Sequence, residues 1–387
     1  MTASQVTHAD APSGIAPGAS VVFEHVTKRY DAGAKGPGAV NDLSMTIPAG
    51  AICVFVGPSG CGKTTSLKMV NRLIEPTSGR ILIDGRDVLQ EDPIQLRRRI
   101  GYVIQQVGLF PHQSIGENVA VVPKLLGWDA KRRRARSDEL LALVGLDPAR
   151  YRDRYPSQLS GGERQRVGVA RALAVDPPVM LMDEPFGAVD PIVRERLQDE
   201  LLRLQEQVAR TILFVTHDID EAIRLGDLVA VFQTGGILAQ FDTPDAILGA
   251  PASEFVARFV GADRGLKRLS LSRVSDLEPR AAVTGVVGAS AADARTRILA
   301  DPASPWLLLL DAAGRPLGWV HERRVPAAGV LNEDMADPTE AVLTPRMSLR
   351  DALSAMLDAD VITGVVIDDD GRARGVLTVE QVASALR

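Results

Sequence analysis

Ile52-Cys53-Val54-Phe55-Val56 runs without a polar residue into Gly57-Pro58-Ser59-Gly60-Cys61-Gly62-Lys63-Thr64-Thr65. An unbroken apolar run of this length reads as a strand buried on both faces. The Gly-rich turn that follows, restarting as a helix near Lys63, makes it a strand feeding a phosphate loop. The spacing satisfies the P-loop pattern in full. Glycines let backbone amides converge on phosphate oxygens, and Lys63 offers a point charge to the β and γ phosphates. The Thr64 hydroxyl is suited to Mg²⁺, and the helix N-terminus adds partial positive charge. The expected nucleotide-binding set is therefore Gly57, Pro58, Ser59, Gly60, Cys61, Gly62, Lys63, Thr64 and Thr65.

Outward from this loop, composition sets the bounds. With 387 residues the chain exceeds one ordinary core, which calls for two or three domains. Hydrophobic residues at 45%, charged residues at 24% and a formal net charge of -5 describe a folded soluble chain with no general electrostatic attraction to nucleic acid. The longest apolar stretches, Ala51 to Val56 and Trp306 to Leu310, are strand-sized, so any membrane contact is expected to come through a partner. Cys53 and Cys61 are the two cysteines, and the second lies inside the loop, so no structural disulfide is expected and a reducing cytoplasm fits. Residues 1–20 carry no secretory pattern and read as a disordered lead-in rich in Ala, Ser, Gly and Pro.

Further along, a polar helical section around Trp128 to Gly145 precedes two apolar strands, Val179 to Met182 and Thr211 to Thr216. Each leaves an acidic or imidazole residue at its end, the carboxyl edge where open α/β sheets bind ligands. Between them, Leu159-Ser160-Gly161-Gly162-Glu163-Arg164-Gln165-Arg166 opens a predicted helix with Ser160 as N-cap. This segment resembles the signature of ABC ATPases, LSGGQ, with Glu163 in place of the usual Gln.

P-loop and signature together make the region from Val21 to Gly261 similar to the ABC ATPases. The fold so implied is α/β, a P-loop NTPase with a RecA-like core and a helical subdomain, and the cofactors implied are ATP and Mg²⁺. In the same family Asp183 would hold Mg²⁺ through water, and Glu184 would polarise the attacking water. His217 would contact the γ-phosphate and keep Glu184 in register. Gln105 matches the Q-loop sensor of Mg²⁺ and water, Asp190 belongs to the D-loop, and Tyr30 matches the aromatic that stacks on adenine, an ordinary strand-end tyrosine being the other reading. Ser160, Gly161, Gly162 and Glu163 would reach the ATP of a second subunit, so the resemblance implies a head-to-tail homodimer with two composite sites. It also implies integral membrane permease subunits as partners, a substrate-binding protein beyond them, and a peripheral position on the cytoplasmic face of the membrane. Val107 to His112 resembles the segment of importer ATPases that meets the permease.

After Gly261 the phosphate chemistry stops, and the expected boundaries are 21–262 for the ATPase and 263–387 for a smaller α+β module. Its latter part, 331–387, reads as helix Leu349 to Leu357, strand Val365 to Ile367, an Asp-rich turn, strand Gly375 to Thr378 and a final helix. That order looks like a CBS motif. A fainter copy in 263–330 runs through Trp306 to Leu310, the turn Asp311 to Arg315, and Leu317 to Val320, which implies a divergent tandem pair. Adenosine-binding CBS motifs pair a strand-end Thr with Asp three residues on. Thr378 here precedes Gln381, and the first copy has His321 and Arg324, so three roles stay open: sensing ionic strength, binding another nucleotide, or dimerisation.

An ABC ATPase followed by CBS repeats resembles the subunits that energise uptake of quaternary amines such as glycine betaine, choline, carnitine or proline betaine. An importer for another small solute (an amino acid or a polyamine) and a non-transport ABC ATPase are the alternatives. The basic run Lys131 to Arg136 reads either as a solvated helix face or as a contact for anionic headgroups.

Overall fold

The computed structural model describes residues 18–30, 38–104, 108–187, 190–300 and 304–385. The chain divides after Gly261 into two units, each with its own core. Among the described residues the first unit has ten strands: β1 (Val21–Lys28), β2 (Val40–Ile47), β3 (Ile52–Val56), β4 (Ser78–Ile83), β5 (Arg86–Asp87), β6 (Ile100–Val103), β7 (Val179–Asp183), β8 (Thr211–Val215), β9 (Leu228–Gln233) and β10 (Ile237–Asp242).

Burial explains how they divide. β2 largely alternates buried and exposed positions, and with β1, β4 and β5 it forms an antiparallel sheet in the order β2-β1-β4-β5. β3, β7 and β8 are buried at every position, which suits strands of a parallel sheet covered on both faces. They lie in the second sheet, ordered β10-β9-β3-β8-β7-β6, where only β10 runs antiparallel to its neighbour. Phe23 of the first sheet meets Phe55 of the second at 6.3 Å, and Phe55 in turn meets Phe232 of the neighbouring strand at 5.4 Å. Parallel strands with crossover helices put β3, β7 and β8 side by side with their carboxyl ends at one edge. Ordered backbone begins inside the expected lead-in, because Gly18 and Ala19 donate hydrogen bonds to the Ala209 and Pro178 carbonyls. Residues 1–17 lie outside the described residues.

Between β6 and β7 the chain is helical, with helices Ala130–Leu143 and Gly161–Leu173 the longest. Asp129 caps the first by accepting from the Arg132 N–H. The basic run on it is put to several uses: the Arg136 guanidinium donates to the Leu173 and Ala174 carbonyls and to Asp176, while that of Arg132 stacks 3.6 Å from the Trp128 ring. Arg136 is thus tied into the fold, and the headgroup reading loses one of its charges. Among the described residues no helix is long and apolar enough to cross a membrane.

Among the described residues the second unit holds two sheets, β11 (Thr284–Val286), β12 (Trp306–Leu310), β13 (Pro316–His321) and β14 (Asp337–Pro338) in one, and β15 (Val342–Leu343), β16 (Thr363–Ile367) and β17 (Ala373–Thr378) in the other. In each, the first strand is parallel to the second, the second antiparallel to the third, and a helix, Ala291–Ala300 or Leu349–Asp358, separates the first two. The hairpins correspond residue for residue at a spacing of 57, from Trp306 and Thr363 to His321 and Thr378. Their turns are built alike: Asp311 accepts from the N–H groups of Ala313 and Arg315, and Asp368 from those of Asp370 and Arg372.

Packing crosses the expected division at 330/331 in both directions. Leu331, Met335 and Ala336 pack in the first core and β14 pairs with β13, while Leu269, Val274 and Leu277, within the expected first copy, pack in the second core. Residues beyond 330 thus help to cover the first sheet.

Candidate active site

The loop after β3 needs two of its glycines for steric reasons. Gly57 has φ 151° and Gly62 φ 99°, and a Cβ on either would stand 2.2 Å from a backbone carbonyl oxygen, that of Phe232 or of Ala39. No other residue type fits there. Ser59 and Gly60 are exposed at the loop's tip, whereas Cys61 and Lys63 are buried, and helix Lys63–Val70 leads away. Cys53 and Cys61 are both free thiols, and burial raises that of Cys53 well above the ordinary cysteine range.

The Lys63 ammonium donates to the Gly57 carbonyl at 2.7 Å and to that of Pro58 at 3.0 Å, so its charge is held within the curl of the loop. Thr64 Oγ1 donates to Asp183 Oδ1 at 2.8 Å, joining the loop to the end of β7. Asp183 is 8% exposed. Burial, offset in part by the Thr64 hydrogen bond, pushes its carboxyl above the usual range. A buried carboxylate beside a hydroxyl wants a cation, and this pair fits Mg²⁺, which takes few protein ligands and fills its shell with phosphate and water. Among the described residues no group of three or more His, Cys, Asp or Glu is placed to hold a metal.

Glu184 follows with φ 45°, a left-handed conformation that is uncommon for a non-glycine residue. Its N–H is fixed by the Val215 carbonyl at 2.9 Å, and its Oε1 lies 3.5 Å from His217 Nδ1. Strand order brings this about, since β7 and β8 are neighbours, Glu184 following β7 directly and His217 lying two residues past β8. On the other side Tyr30, 64% exposed, places its hydroxyl 3.5 Å from Thr65 Oγ1, with the Lys28 ammonium 5.4 Å from its ring. Loop, Thr64, Thr65, Tyr30, Asp183, Glu184 and His217 thus converge on one edge.

The signature residues do not join them within the chain. Ser160 caps helix Gly161–Leu173 in a reciprocal capping box with Glu163, whose other oxygen accepts from the Tyr151 hydroxyl at 2.6 Å. The Tyr151 hydrogen bond, more than any other contact, holds the Glu163 carboxyl below the ordinary range. Glu163 is therefore turned into its own helix start, and among the described residues no hydrogen bond connects Ser160–Glu163 with the phosphate loop. Asp190 caps helix Pro191–Val208 by accepting from the Ile192 N–H. Gln105 lies outside the described residues. Sequence reading missed Tyr102, whose phenol burial and Asp183 push up to about 12. It also missed Gln198 and Glu221, a buried pair behind His217 bonded at 2.9 Å. Nothing local marks them, although a Glu four residues after His217 in a strand-end helix was there to be noticed.

Comparison with known proteins gives this geometry its family. Residues 40–187 match the family model described as ABC transporter, and residues 333–387 match that of the CBS domain. The chain is 43% identical to the osmoprotectant import ATP-binding protein OsmV of Salmonella typhimurium over 95% of its own length and 96% of the relative's. It is also 43% identical to the glycine betaine/carnitine/choline transport ATP-binding protein OpuCA of Bacillus subtilis, covering 92% and 93%. Among solved structures it is similar to an ATP-binding cassette dimer in a post-hydrolysis state with ADP and Pi, at 34% identity and TM-score 0.52, over 58% of this chain and 98% of that one. Likeness sustained across nearly the whole of such relatives, at a site built on a complete phosphate loop, means that this chain belongs to the ATP-binding subunits of ABC transporters and is an ATPase.

Proposed function

We propose that the chain is the ATP-hydrolysing subunit of an importer for quaternary amines of the glycine betaine, choline and carnitine type. The observation that carries the catalytic part is the pairing of Thr64 with Asp183 and of Glu184 with His217 at one sheet edge beside the phosphate loop. The substrate class is supported by relatives that match over both units and are named for such solutes.

In this reading the amides from Gly60 to Thr65 and the Lys63 ammonium receive the phosphates, and Tyr30 stacks on the adenine. Thr64 and Asp183 would hold Mg²⁺, which when bound neutralises charge developing on the transferred phosphoryl group. Glu184 orients the attacking water and draws on its proton, and His217 holds Glu184 in place through the contact at 3.5 Å. Ser160 to Gly162 are left with backbone amides directed at a partner subunit's nucleotide, since one chain does not bring them to its own loop. Two copies would then close head to tail over two ATP molecules on the cytoplasmic face of a membrane, against permease subunits fed by a binding protein.

The test is to purify the chain with its membrane subunits, reconstitute them, and follow uptake of labelled glycine betaine, choline, carnitine, proline and a polyamine beside ATP hydrolysis with and without Mg²⁺. ATP-dependent uptake of at least one quaternary amine is expected. Uptake of the polyamine or an amino acid alone would overturn the substrate class and leave the ATPase reading standing.

A further inference from the structure

Behind His217 lies a buried polar cluster that none of the nucleotide motifs accounts for. Glu221, on helix Ile219–Leu225, is 7% exposed, and Gln198, on helix Pro191–Val208, is 4% exposed. The Gln198 amide donates to Glu221 Oε1 at 2.9 Å. The Thr216 hydroxyl, beside the Glu221 carboxylate, accepts from the Asp218 N–H at 3.1 Å.

His217 is therefore held from both sides. Before it, Thr216 donates its backbone N–H to the Phe55 carbonyl of β3. After it, the Asp218 carboxylate accepts from the N–H groups of Asp220 and Glu221 and lies 3.7 Å from Arg194 Nη1 on the same helix as Gln198. A carboxylate so deeply buried is costly, and an apolar side chain of similar volume would fill the space at less expense. Packing alone leaves Glu221 unexplained, whereas the buried Gln198 amide donor calls for an acceptor opposite it, which a carboxylate or an amide supplies.

The structure assigns Glu221 as a positioning residue for His217: through Gln198 it ties the helix that follows the His217 turn to the helix capped by Asp190, alongside the Arg194–Asp218 contact, and so holds the turn that aims the imidazole at Glu184. This rests on the reading of His217 and Glu184 given above. Its consequence is directional coupling. A displacement of helix Pro191–Val208, whose first turn begins at Asp190, reaches the His217 turn through Gln198 and Arg194 without passing through the nucleotide.

The experiment measures steady-state ATP hydrolysis and thermal melting of the full chain carrying Glu221→Ala, Glu221→Gln, Gln198→Leu, the double variant Gln198→Leu/Glu221→Ala, and His217→Ala. Misplacing the turn should lower kcat of Glu221→Ala about tenfold or more. KM for ATP should stay within about twofold, because phosphate and adenine contacts are untouched. Glu221→Gln, which keeps an acceptor, should recover to within about threefold of the unaltered chain. Gln198→Leu should lose kcat in the same manner, and the double variant should be no slower than the slower single one, as expected for residues acting through one contact. Unchanged kcat in both Glu221→Ala and Gln198→Leu overturns the proposal, as do losses that multiply in the double variant. If Glu221→Ala melts below the assay temperature, Gln198→Leu and Glu221→Gln decide by the same criteria. Normal hydrolysis by His217→Ala overturns the underlying reading of the site together with the proposal. An impaired His217→Ala beside unaffected Glu221 and Gln198 variants overturns the proposal alone.

Discussion

Replacing Gly62 by alanine tests whether the shape of the phosphate loop is set by contact with β2 and the segment before it. The added Cβ would stand 2.2 Å from the Ala39 carbonyl oxygen. Carbon and carbonyl oxygen rest no closer than about 3.3 Å, so the loop must move by about 1 Å. The residues carried with it are Lys63 and Thr64, which open the helix directly after Gly62. A misplacement of about 1 Å in groups that position a substrate costs about a hundredfold, or about 2.7 kcal/mol of transition-state stabilisation. The positive φ of 99° adds left-handed strain of about 1–2 kcal/mol to the fold. In a domain of this size that lowers Tm by roughly 2–8 °C. Gly85 supplies the control, since it has φ 75° with nothing near its Cβ position. Gly85→Ala should show the loss in Tm and leave hydrolysis unaltered. The assays are kcat/KM for ATP hydrolysis and differential scanning calorimetry on both variants. A Gly62→Ala variant that hydrolyses ATP within about threefold of the unaltered chain would refute the argument, because it would mean that the loop absorbs the clash without moving its cation and hydroxyl.

Glu184→Gln keeps the shape of the side chain and removes its charge, so ATP binding should persist while turnover falls by about a hundredfold or more; equilibrium binding of a fluorescent ATP analogue beside phosphate release checks both halves. Asp183, whose pKa burial raises, binds its proton more tightly folded than unfolded, so its stabilising contribution is present below the ordinary aspartate pKa and is lost as pH rises through the folded value. Asp183→Asn should therefore melt higher than the unaltered chain at pH 8 in the absence of nucleotide and Mg²⁺, with the gap closing as pH falls towards 5; a gap that widens on acidification would contradict the assignment of burial as the cause. A mixture of Ser160→Arg and Lys63→Ala subunits, each inactive alone, should recover hydrolysis by forming one intact pair of half-sites, and proven heterodimers without recovery would count against head-to-tail pairing.

What the amino-acid order determined by itself are the parts whose chemistry is local. Gly57 to Thr64 form a phosphate loop because glycine spacing and the flanking apolar run act on adjacent backbone, and Ser160 caps its helix through a bond to a residue three positions away. The hairpin copies around Asp311 and Asp368 are legible for the same reason, each turn being closed by its own aspartate. Tertiary structure alone decided what crosses the sheet. Thr64 meets Asp183 because β3, β8 and β7 are neighbours in that order, a fact of strand pairing that no local periodicity carries. The same holds for Tyr30 beside Thr65, for Glu163 drawn away by Tyr151, and for the part of the second unit where residues beyond 330 complete the first core. Gln198 and Glu221 are the clearest instance: on separate helices each reads as a surface residue, and only the tertiary packing of those helices removes both from water and makes each the other's partner.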